Sequence, residues 1–107
     1  MALTRDYRET VVKRADADPE FAKALLDEAA TLFLNGEPEI AKLILRDLVN
    51  ATMGFEQLAG LIAKPVKSLH RMLSPSGNPT MSNLAAIFQT LKNKMNLEFR
   101  AQAFRLN

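Results

Sequence analysis

Apolar residues recur along this chain at intervals of three and four, the spacing of a buried helical stripe, almost from end to end. Leu3, Tyr7 and Val11 fall at i, i+4 and i+8 and predict a short first helix ending in the polar stretch Ala15-Asp16-Ala17-Asp18. Asp18 followed by Pro19 reads as an N-cap with proline at the first helical position, where no amide donor is needed. The helix it opens carries Phe21, Leu25, Ala29, Leu32 and Phe33 on one stripe. It is predicted to stop at Asn35-Gly36, where glycine can take the left-handed conformation that closes a helix. Pro38 begins the next helix, with Ile40, Leu43, Ile44 and Leu48 facing inward.

Gly54 interrupts that pattern, and Phe55, Leu58, Ala59 and Ile62 resume it at i, i+3, i+4 and i+7. Pro65 opens a further short helix through Leu73. Ser74-Pro75-Ser76-Gly77-Asn78-Pro79 is dense in turn residues and predicts a loop. Thr80 caps the helix after it, whose face of Leu84, Ile87, Phe88, Leu91 and Met95 is the cleanest amphipathic signal in the chain. From Leu97 to Ala103 apolar and polar residues alternate, as in a strand, although Phe99, Ala103 and Leu106 also fit helical spacing. A lone strand in a helical chain leaves unpaired backbone groups and needs a partner. The expected fold is therefore all-α, a single domain of five or six helices with a short C-terminal strand-like tail. Its parts are N-terminal helices (1–53), a helical pair with the helix after it (54–96) and the tail (97–107).

Composition narrows the chemistry. The 107 residues have room for one core, and the absence of cysteine excludes disulfides, a thiolate nucleophile and a Cys-based zinc site. No apolar run approaches the length of a membrane span, and the first residues lack the apolar stretch of a signal peptide, so a cytoplasmic address is expected. The net charge of +2 conceals an asymmetry. Residues 1–53 hold seven basic and ten acidic side chains; residues 54–107 hold seven basic and two acidic ones. The 41 residues between Glu56 and Glu98 contain no acid but include Lys64, Lys67, Arg71, Lys92 and Lys94. Such a half on an otherwise acidic body suits a polyanion.

Residues 54–73 carry the length and pattern of a helix-turn-helix, two short helices joined by a tight connection at Ala63-Lys64-Pro65. Ala59 is small enough for a close crossing, and Leu58, Ile62, Leu69 and Met72 can share one core. The second helix is then expected to turn Val66, Lys67, Ser68, His70 and Arg71 outward. Arg71 matches the O6 and N7 edge of guanine with its planar fork, while Lys64 and Lys67 suit phosphates. Ser76 and Asn78, in the loop that follows, are further candidates for phosphate contacts.

Gly54-Phe55-Glu56-Gln57-Leu58-Ala59 through Leu69-His70-Arg71-Met72-Leu73, then Gly77-Asn78-Pro79-Thr80 and an amphipathic helix, resembles a lambda-repressor-like (XRE-type) DNA-binding domain. More narrowly, residues 67–80 resemble the addiction-module antidote proteins, the antitoxin partners of toxin–antitoxin pairs. The resemblance covers roughly residues 52–100. It implies operator binding as a homodimer and repression of the chain's own operon. Two recognition helices (65–73) would then enter successive major grooves of double-stranded DNA, about 34 Å apart. Two positions depart from the family pattern: Ala63 stands where glycine is usual, and Lys64 where an apolar residue is favoured. In a left-handed conformation Ala63 would cost about 1–2 kcal/mol.

Other chemistries fit less well. The single His has no carboxylate near it in sequence, and the four glycines form neither a dinucleotide fingerprint nor a phosphate-binding loop. No enzyme activity, cofactor or metal is expected. Two alternatives to an antitoxin-type repressor stay open. One is a protein-interaction module whose acidic N-terminal half binds a basic partner such as a toxin; the other is a stand-alone repressor without a toxin.

Overall fold

The computed structural model describes residues 5–107, with side chains from Tyr7 onward; Leu3 of the first predicted stripe lies outside the described residues. Among those residues the chain forms six α-helices and no strand. They are α1 (Arg5–Ala17), α2 (Pro19–Leu34), α3 (Pro38–Thr52), α4 (Gly54–Ile62), α5 (Val66–Met72) and α6 (Met81–Lys94).

The chain's own punctuation sets these boundaries. Asp18 accepts hydrogen bonds from the amides of Glu20 (3.1 Å) and Phe21 (3.3 Å), satisfying two donors that the first turn of α2 leaves open. At the other end Gly36 takes φ +81°, and the Glu37 amide donates to the Leu32 carbonyl at 2.8 Å. Thr80 caps α6 by accepting from the Asn83 amide at 3.1 Å.

Helix α3 is the hub, packing against α1, α2, α4 and α6. Its Leu45, Leu48 and Val49 are fully buried and meet Leu26 of α2, Leu58 of α4, Leu69 of α5 and Ile87 and Leu91 of α6 in one hydrophobic cluster. The acidic and basic portions of the chain thus share a core. At the α1–α3 junction Arg8 donates to the buried Asp47 carboxylate at 3.0 Å.

Two expectations need correction, and the expected strand of the tail is not formed within one copy. Ile40 is 51% exposed; Ala41 takes the inward position instead, in register with Leu45 and Leu48 at i, i+4 and i+7. Tyr7 is 53% exposed, and Val12 and Ala15 carry the inward face of α1. The tail, residues 97–107, has no regular secondary structure. Leu97 packs on the core and Phe99 meets Phe88 edge to face at 5.7 Å, but everything after Phe99 is exposed. A strand needs a neighbour to take its amides and carbonyls, and among the described residues no other strand exists to supply one.

Candidate nucleic-acid interface

Helices α4 and α5 pack against each other across the connection 63–65. Ala63 sits in the left-handed region (φ 56°, ψ 48°), the geometry a glycine would adopt without penalty, and its amide donates to the Ala59 carbonyl. Pro65 is the N-cap rather than the first helical residue (φ −63°, ψ 144°), and its carbonyl accepts from the amides of Ser68 (3.0 Å) and Leu69 (3.2 Å). Leu69 is fully buried, with Ile62 and Met72 packed against the same cluster as Leu58. This pins the inner face of α5 and fixes which residues face away.

Lys67, His70 and Arg71 are exposed and lie at i, i+3 and i+4, so they are neighbours on one face of the helix. Lys64, in the turn, and Ser76 and Asn78, in the following loop, are exposed too; Ser68 is half-buried. Val66 departs from the outward placement. It is half-buried and packs on the core, because it stands one turn before Leu69 on the inner side of the helix. Among the described residues none of Lys64, Lys67 or Arg71 makes an ion pair. Their charges lie in the acid-free stretch and remain available to an external anion. Lys92 and Lys94 end α6, where cations also complement the helix dipole.

Three features of this face escape a reading of spacing alone. The His70 ring stacks on Phe55 of α4, with centroids 4.1 Å apart. Lys42 of α3 is buried, and its Nζ donates to the carbonyls of Gly77 (2.6 Å) and Pro75 (3.2 Å). Gly77 backs onto the end of α5 so closely that a Cβ there would overlap the carbonyl oxygens of Arg71 and Met72. Phe55 reads as an ordinary core aromatic and Lys42 as one more helical charge, and neither has a local sequence signal that names its partner. Gly77 reads only as a turn former.

Elsewhere a cleft of about 420 Å³ opens where the α1–α2 corner meets the end of α6, bordered by Asp16, Glu20, Lys23 and Lys94; no residue of α4 or α5 lines it. Among the described residues no group of three or more His, Asp or Glu side chains is placed to hold a metal ion. No described helix is long and apolar enough to cross a membrane. Compared with known proteins, the chain matches no family model, no curated protein and no solved structure.

Proposed function

We propose that this chain is a sequence-specific regulator that binds double-stranded DNA through a lambda-repressor-like helix-turn-helix, with α5 as the recognition helix. The observation that carries the reading is the set of exposed cations Lys64, Lys67 and Arg71, free of ion pairs among the described residues, on one short helix and its turn. Lys64 and Lys67 neutralise phosphates, Arg71 reads a guanine edge, and His70 and Ser68 contact bases or backbone beside it. Ser76 and Asn78 reach the backbone from the loop. Val66 serves the packing of α5 instead of reading bases.

In this reading the chain acts in the cytoplasm as a homodimer, without catalysis or cofactor. The tails of two copies supply each other with the backbone partner that one copy lacks. The resemblance to addiction-module antidotes adds autorepression of a toxin–antitoxin operon. Fluorescence anisotropy on the duplex upstream of the chain's own reading frame, at two salt concentrations, tests the DNA reading. Affinity falls as salt rises, because bound phosphates release counterions, and Lys67→Ala with Arg71→Ala abolishes specific binding. Affinity unchanged in that double variant overturns the recognition-helix assignment. A neighbouring frame encoding a small basic ribonuclease-like protein supports the antitoxin role; without one the chain is a stand-alone repressor.

A second reading draws on the α2–α3 corner, where Leu34 (72%) and Ile40 (51%) are exposed beside Glu37 and Glu39. Exposed apolar groups rimmed by acids suit a basic protein partner such as a toxin.

A further inference from the structure

Lys42 is only 4% exposed. A buried ammonium is among the most expensive groups to remove from water, and cores usually place a methionine or leucine where only volume is required. Among the described residues Lys42 has no carboxylate partner. Both hydrogen bonds that its Nζ makes go to carbonyls of one loop, at Gly77 (2.6 Å) and Pro75 (3.2 Å), 35 and 33 residues away in sequence. That loop carries Ser76 between the two carbonyls and Asn78 immediately after them. The Gly77 backbone also lies so near the end of α5 that a Cβ there would overlap the Arg71 and Met72 carbonyl oxygens, leaving no room for a side chain. The Gly77 amide also donates to the Ser74 carbonyl at 2.9 Å. The loop is therefore held between α3 and the C-terminal end of α5.

We propose that Lys42 is a positioning residue for the DNA-facing surface. From α3 it fixes the 74–80 loop against the end of α5, and so sets where Ser76, Asn78 and Arg71 stand relative to one another. It touches no DNA itself, and its functional consequence rests on the DNA-binding reading above. Beyond the shared core, Lys42 thereby ties the acidic portion of the chain to the loop of the basic face.

The test uses the full chain carrying Lys42→Met, which keeps an unbranched side chain and removes the donors. In the free protein, exchange of the Gly77 amide, which donates to the Ser74 carbonyl, rises at least tenfold, while the amides of Leu48 and Leu58 exchange as in the wild type. Affinity for the upstream duplex falls at least tenfold, and Lys42→Arg, which keeps cationic donors near the same carbonyls, recovers most of both losses. Should Lys42→Met not fold, Lys42→Gln is read in the same two ways. Exchange that rises uniformly along the chain would show a general structural role and overturn the proposal. So would a loosened loop with wild-type affinity, or no change in either readout. A wild-type chain that binds no duplex at low salt overturns the DNA reading and this role with it. A wild type that binds while Lys42→Met binds equally well overturns the positioning role alone.

Discussion

The His70 imidazole lies against the Phe55 ring at a 21° interplanar angle, so the outermost aromatic group of α5 is braced by the start of α4. Phe55 is 6% exposed and belongs to the core; one residue therefore joins the interior to the candidate DNA face. Phe55→Leu keeps the site apolar but shortens the buried side chain and removes the stack, which alone is worth about 0.5–1.5 kcal/mol beyond the lost buried area. The expected result is a loss of at least that size in urea unfolding, together with loss of the upfield ring-current shift on the His70 ring protons. His70 resonances already at unperturbed positions in the wild type would contradict the stack.

Gly77 is a position where nothing larger fits, since a Cβ would overlap two carbonyl oxygens of the α5 terminus. Gly77→Ala must push the loop or the helix end aside, and overpacking of this kind costs about 1–3 kcal/mol. Chemical denaturation checks this. A variant as stable as the wild type would mean the loop lies farther from α5.

Asp47 predicts a pH dependence. Its burial on α3 raises the carboxyl pKa above the ordinary 3.8, and the hydrogen bonds and charge of Arg8, with the charge of Arg46, offset that only in part. With the folded pKa above the unfolded one, the ionised form weakens the fold at neutral pH, and stability returns as pH falls through the folded pKa toward 3.8. Wild-type stability measured relative to Asp47→Asn therefore rises on acidification from neutral pH. A relative fall would mean that the Arg8 pair outweighs desolvation.

Truncation after Phe99 tests the tail, because it keeps the Leu97 and Phe99 packing while removing Phe104 (78% exposed) and Leu106 (90%). Sedimentation equilibrium is expected to find the full chain dimeric and the truncated chain monomeric. A truncated chain that stays dimeric places the interface elsewhere.

Local chemistry made most of the helical frame legible in advance. Asp18-Pro19, Asn35-Gly36 and Thr80 announce helix ends because their side chains or backbone freedom act within a few residues. The stripe from Leu84 to Met95 likewise states its own period, and Ile87 and Leu91 are its fully buried centre. Ala63 in the left-handed region follows from its place in the turn between two short helices. What spacing does not encode is tertiary. Ile40 and Ala41 differ by one position on the wheel, and only the packing of α3 decides which turns inward. Val66 shares its inner side with Leu69, so its apolar character served packing where base contact was expected. Lys42 and Phe55 reach across 35 and 15 residues to Gly77 and His70, distances over which periodicity carries no signal. The tail shows alternation without pairing, since a strand is a property of two segments and not of one.

Amide chemical-shift mapping of the full chain, titrated with the upstream duplex, tests most directly whether α5 and its flanks meet DNA. The largest changes are expected at Lys64, Lys67, Ser68, His70, Arg71, Ser76 and Asn78, with the exposed α2 residues Asp27, Glu28 and Leu34 unmoved. Shifts concentrated on α2 with α5 silent, or no shifts at low salt, would contradict it.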